Sequence, residues 1–309
     1  MLRFSRKQEV FEIGRVQIGG QPGELPTVLI GSIFYRGHKI VKDPKLGEFD
    51  RGKAEELVNK QDELSEATGN PCMVDAVAVT PEAMVKYLEY CVDATEAPIL
   101  IDGVPKARVA GVKYALEAGF VDRIVYNSIF MPSREELSNL QKAGIKAAIL
   151  LAYNHRNPWA RGRLEMAEQL FDKAREAGVE KPLVDVCVIN LPSLGLALRA
   201  AYMIKEKYGV PVGCAPSNGI HMWREGSGIW GKEILKLCNA SASAIALTSC
   251  CDYVLYGPIE EAPNVFPACA VADAVVATAV REMNVATKTR DHPLYKLFPR
   301  FVQEMEKCI

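Results

Sequence analysis

Eight short apolar runs, helical spacing between them and the lack of any Gly/Ser/Pro-rich linker predict an α/β fold, a single-domain (β/α)8 or TIM barrel. The 309 residues would also fit two domains of about 150 residues each, but a barrel routinely uses this length for one. Parallel strands buried on both faces read as near-continuous Val/Ile/Leu runs, and these do. A doubly wound open sheet shares that local signature and is the competing architecture.

The first element is FEIGRVQIGG, where Phe11, Ile13, Val16 and Ile18 alternate around Gly14 and Arg15, which predicts a hairpin plugging the lower end of the barrel. Residues 1–26 are then an N-terminal extension and residues 27–283 the barrel. Its strand runs are 27–35, 72–79, 97–104, 123–130, 146–154, 182–190, 210–218 and 252–260. Among the helices, Thr80-Pro81-Glu82 supplies an N-cap, a first-turn proline and a first-turn acid ahead of the stripe Met84, Val85, Leu88, Cys91 and Val92. Ser133 with Glu136 is a capping box, and Leu164, Ala167, Leu170, Phe171 and Ala174 form a stripe that stops near Gly178. Similar helices follow Ser193, Lys232 and Val265. Residues 284–309 are a tail and a C-terminal helix with the stripe Leu297, Phe298, Phe301, Val302 and Met305.

Composition narrows the function. Lysine plus arginine (37) nearly cancels aspartate plus glutamate (38), which leaves no basic field for nucleic acid or an anionic membrane face. Nine cysteines without CxxC spacing fit buried reduced thiols in a cytosol. The start MLRFSRKQEVFEI has no apolar core of signal-peptide length, and the longest uncharged apolar stretch, 237–251, is too short to span about 30 Å of hydrocarbon, so a soluble cytoplasmic protein is expected. His38, His155, His221 and His292 make neither HxH nor HExxH; solvated histidines and no built-in metal are expected. Schiff-base chemistry is disfavoured, since Lys146 precedes its strand and Lys106 lies beyond the end of another. GSGIWGKE (226–233) departs from a phosphate loop at Glu233 and reads as a loop entering a helix, and the sequon at Asn239 is a chance match.

Several strand runs end in an acid or amide: Asp75, Asp102, Asn127, Asn154, Asp185, Asn190 and Asn218, with no lysine or arginine among them. In such a barrel the carboxyl ends of the strands face the ligand. Each residue alone could equally cap a helix or close a turn, and Asn154 and Asn190 fit that reading. Asp102, Asn127, Asp185 and Asn218 would instead surround one mouth. Desolvated carboxylates without cationic partners need hydrogen-bond donors. A flat heterocycle offering N–H pairs and a carbonyl, such as a pterin, supplies them.

The segments EVFEIGRVQIGGQPGELPTVLIGSIFYRGHKIV, APILIDGVPKARVAGVKYALEAG, RIVYNSI, KPLVDVCV and DYVLYGPIEEAPNVFPA resemble the H-subunit family of tetrahydromethanopterin S-methyltransferase, chiefly through GGQPGE, IGSIFY and LYGPIE. The resemblance implies a pterin-binding barrel in which Asp102, Asn127, Asp185 and Asn218 hold the pterin, with Asp75 at a related strand end. It implies Asn218 near N5 and Asn127 fixing the ring. GCAPSNGIHMWREG departs from the archaeal pattern and favours a bacterial relative that moves methyl between a methylated corrinoid protein and tetrahydrofolate. No DxHxxG signature is present, so the cobalamin is expected on a partner protein. A homodimer is expected from the same resemblance. The alternatives are a component of a larger tetrahydromethanopterin complex, acting as its methyltransferase or as a docking piece, and a dihydropteroate-synthase-like condensing enzyme.

Overall fold

A computed structural model describes residues 3–307. The chain opens with β1 (Val10–Ile13) and β2 (Val16–Gly19), an antiparallel hairpin turning at Gly14. Next come β3 (Val28–Ile33), a small antiparallel pair β4 (Val41–Asp43) and β5 (Glu48–Phe49), and α1 (Arg51–Thr68). Strands and helices then alternate: β6 (Cys72–Ala78), α2 (Pro81–Ala94), β7 (Ile99–Gly103), α3 (Pro105–Ala118), β8 (Ile124–Ile129), α4 (Arg134–Ala143), β9 (Ala147–Leu151) and α5 (Ala160–Glu176). The second half holds β10 (Lys181–Asp185), α6 (Ser193–Tyr208), β11 (Val212–Cys214), α7 (Pro216–Met222), α8 (Arg224–Trp230), α9 (Lys232–Thr248), β12 (Tyr253–Pro258) and α10 (Ala262–Ala279). It ends in α11 (Pro293–Leu297) and α12 (Pro299–Glu306).

Closure decides between the two architectures. β12 pairs in parallel with β3, Tyr253 opposite Val28 and Pro258 opposite Ser32, so the eight strands β3 and β6–β12 form a closed barrel. Val28, Ile30, Met73, Leu100, Val125, Leu183 and Tyr253 fill the interior, and the hairpin's Ile13, Val16 and Ile18 pack into the same cluster. The hairpin sits at the amino end: Gly14 N–H donates to Asp122 O (3.1 Å) just before β8, and Lys181, first in β10, donates to Glu12 O (2.6 Å). Buried polar pins hold that end. Lys205 pairs with Asp252 at 2.5 Å, and Asp273 accepts from Thr27 N, Thr27 Oγ1 and Asn70 Nδ2.

The caps at Thr80 and Ser133 form as expected. Other expectations need correction. The C-terminal helix is two short helices broken at Phe298, because the residue before Pro299 is disfavoured in the α region. Of its stripe Val302 is buried, whereas Leu297, Phe298 and Phe301 are exposed. Residues 226–230 are not a loop: they belong to α8, whose Trp230 ring meets Trp223 edge-on at 5.2 Å. Among the described residues one helical segment, Ile259–Met283, is long and apolar enough to cross a membrane, but 56% of its window is buried inside the protein. His38 and His292 are buried, while His155 and His221 are exposed, so only two of the four match the solvated reading. The sequon's Asn239 is buried in α9 and donates to Tyr256 O at 2.9 Å. Eight described cysteines are free thiols, six of them buried; Cys308 lies outside the described residues.

Candidate active site

Strand periodicity builds the site. Side chains two apart share a face, so the residues one step beyond the inward Ile30, Met73, Leu100, Val125 and Leu183 also point inward. Those residues are Ser32, Asp75, Asp102, Asn127 and Asp185. A polar layer therefore covers the apolar core at the carboxyl end of the barrel.

Asp75 lies at its centre. It is buried, accepts from Ser32 Oγ at 2.7 Å and from Asn127 Nδ2 at 3.3 Å, and has Asp102 as a charged neighbour. Burial first, then the Asp102 carboxylate, push its pKa far above the carboxylate range, and the bonds from Ser32 and Asn127 offset this only in part. Asp75 is thus held toward its protonated form. Asp102 is also raised, chiefly by burial, against its bond from Gly103 N–H (2.5 Å) and the charge of Arg108. Burial lifts Asp185 to about 6, opposed by the Cys187 N–H bond (2.7 Å) and Arg163.

The remaining expected residues divide as follows. Asn154 accepts from Arg156 and Asn157 N–H, and Asn190 from Ser193 N–H, so both are turn and cap residues. Asn218 is not on a strand: β11 ends at Cys214, Pro216 starts α7, and Asn218 stands exposed in its first turn.

Two arginines, the buried Arg163 and the partly buried Arg108, escaped the sequence reading because they sit on helices. Arg108 of α3 donates to Gly103 O (2.8 Å) and Tyr126 Oη (3.0 Å) and pairs with Glu136 (2.6 Å). Arg163 of α5 donates to Val186 O (2.7 Å), Cys187 O (3.2 Å) and Pro158 O. Each fastens the loop that follows one of the acids, Asp102 or Asp185. Tyr35, His38 and Glu260, which cluster where β3 and β12 end, were also passed over in sequence. Their only signal was their place inside the IGSIFY–RGH and LYGPIE segments.

Around this layer the connections after β6 to β10 each expose a large apolar side chain, Val79, Val104, Met131, Trp159 and Ile189, and α8, which follows β11, exposes Trp230. A polar floor inside an apolar rim suits a planar, hydrogen-bonding ligand covered by a second surface. Among the described residues, no group of three His, Cys, Asp or Glu is placed to hold a metal ion.

The family described as Tetrahydromethanopterin S-methyltransferase MtrH subunit matches residues 6–288. The chain belongs to this family. The corresponding MtrH protein of Methanothermobacter thermautotrophicus is 41% identical over 315 aligned positions, covering 96% of this chain and all of the relative. That of Methanopyrus kandleri is 37% identical over 311 positions, covering 93% and 97%. Among solved structures, Yersinia pestis dihydropteroate synthase with a pterine-sulfa conjugate superposes with a TM-score of 0.62 at 12% identity, covering 86% of this chain and 99% of that one. The Xanthomonas albilineans dihydropteroate synthase gives 0.54 at 17% identity, covering 87% and 99%. The structural likeness establishes the shared barrel, and membership of the MtrH family establishes a methyltransferase subunit.

Proposed function

We propose that this MtrH family member transfers a methyl group between N5 of a tetrahydropterin seated on the polar layer and a corrinoid carried by a partner protein. Support comes chiefly from the layer itself: the buried acid Asp75, two further carboxyls and Asn127 arrive from β6, β7, β8 and β10 at one mouth. That donor set fits a pterin. Asp102 and Asp185 accept from its 2-amino and ring N–H groups, Asn127 fixes the ring, and Asn218 on α7 lies toward N5. A flat ligand held this way has its N5 lone pair presented to the mouth, and fixed orientation supplies much of the rate of an in-line displacement. The corrinoid provides the methyl carbon when its carrier docks, and the apolar rim is the surface offered to that carrier.

The relatives' names favour tetrahydromethanopterin as the pterin. Tetrahydrofolate is the second reading, favoured by the departure of GCAPSNGIHMWREG from the archaeal pattern. Titration calorimetry with each pterin separates them, and methyl transfer to each from methylcobalamin tests the reaction. Asp102→Ala and Asp185→Ala should each weaken pterin binding by about 1.5–3 kcal/mol, the worth of a hydrogen bond to a charged group. Unchanged affinity in folded variants would remove the pterin from this layer. A homodimer accords with the resemblance, and sedimentation of the purified chain tests it.

A further inference from the structure

Methylation of N5 releases a proton, and none of the residues placed at the pterin so far is assigned to take it. The cluster at the ends of β3 and β12 has the chemistry for it. His38 is buried and its Nδ1 accepts from Phe34 N–H at 3.0 Å, so the proton of the neutral ring sits on Nε2. Nε2 lies 3.0 Å from Glu260 Oε1. Tyr35 stacks on the His38 ring at 4.5 Å and donates its hydroxyl to the same carboxylate at 3.1 Å. Glu260 therefore has the Tyr35 hydroxyl bonded to its carboxylate and the His38 ring edge 3.0 Å away. Burial alone would raise its pKa, but the bonds from His38 and Tyr35 hold it below the ordinary value. The other titratable groups facing the cluster are Glu261, the buried Tyr256 of β12 and, toward Glu261, Lys236 of α9.

The carboxylate is reachable, its side chain 38% exposed while His38 is closed off. It also follows the carboxyl ends of the strands that carry the layer: Pro258 pairs with Ser32, whose hydroxyl bonds Asp75, and Glu260 comes two residues after Pro258 and Tyr35 three after Ser32. We propose that Glu260 is the base that receives the N5 proton, with Tyr35 and His38 as its positioning residues; this rests on the methyl-transfer reading. The N5 lone pair forms the new N–C bond, the bond from methyl to its donor breaks with its electron pair staying on the corrinoid, and the proton of the resulting cationic N5 passes to the Glu260 carboxylate. A neutral tertiary amine and a protonated Glu260 remain.

The test uses the full chain with methylcobalamin as donor and tetrahydromethanopterin as acceptor, with tetrahydrofolate in a parallel arm. Glu260→Gln keeps both hydrogen bonds but cannot take a proton; kcat should fall by roughly 100-fold, within the range for lost general-base catalysis, and the acid limb of the pH profile should vanish while pterin affinity holds. Glu260→Asp should restore part of the rate. His38→Ala should move the acid limb to higher pH, a change that a merely structural histidine would not cause. A Glu260→Gln rate within about threefold of wild type, or a loss confined to pterin affinity, would overturn the assignment. Wild-type protein that neither binds nor methylates either pterin would instead overturn the functional reading, and the role of Glu260 with it.

Discussion

Asn127 Nδ2 donates to Asp75 Oδ1 across 3.3 Å, which links β8 to β6 over the intervening β7. The bond joins a residue expected to touch ligand to one buried beneath it, so the two should act as a unit. Asp75→Asn preserves shape and should leave stability close to wild type. Asp75→Ala strips Ser32 and Asn127 of their acceptor and should cost about 2–3 kcal/mol in urea denaturation. Combined with Asn127→Ala it should show a coupling of about 0.5–3 kcal/mol. Strict additivity would mean that the bond carries no energy.

On the proposed reading, Asp185 should set a pH limit on pterin binding. With its carboxyl lifted to about 6, it is ionised and able to accept a pterin N–H above that pH, and protonated below it. Pterin affinity should be flat above pH 7 and fall toward tenfold per pH unit below 6. In Asp185→Asn the dependence should disappear from calorimetry between pH 5 and 8. A wild-type affinity that rises on acidification would reverse the proposed direction of that hydrogen bond.

Asn218 stands in the first turn of α7, outside the buried layer, so it can move without disturbing the core. Asn218→Ala should lower kcat more than it weakens pterin binding. A change in KM alone would place the residue in binding rather than at N5.

Stability should decline with pH at the opposite end of the barrel. Burial raises Asp273 from its ordinary 3.8 to about 7, despite bonds from Thr27 and Asn70. Between those values the folded chain holds a proton that the unfolded chain has released, so stability is greatest below pH 4 for this group and is lost as pH rises to 7. The loss should be roughly 2–4 kcal/mol. Asp273→Asn keeps the shape and removes the titration, so the stability difference from wild type should grow in favour of the variant on raising pH from 4 to 8. A difference that does not vary with pH would show Asp273 already ionised.

Most of the barrel was legible because strands buried on both faces leave continuous apolar runs, and each of the eight runs holds one barrel strand. Closure was not, since it depends on β12 meeting β3 across the whole chain. Asp102, Asn127 and Asp185 could be picked out by their place at strand ends. The centrality of Asp75 was hidden because it arises from cross-strand bonds to Ser32 and Asn127. Arg108 and Arg163 were passed over because a residue in the first turn of a helix gives no sign that it reaches back to the end of a strand. His38 was misread as solvated because a single histidine has no periodicity to mark its burial.

On the proposed reading, the stopper formed by Ile13, Val16 and Ile18 leaves pterin and carrier one doorway between them. Whichever binds deeper must enter first and leave last. A carrier protein pressed over the rim would shut the pterin in, so initial-rate kinetics should follow a compulsory sequence, pterin ahead of carrier, and excess carrier should slow product escape.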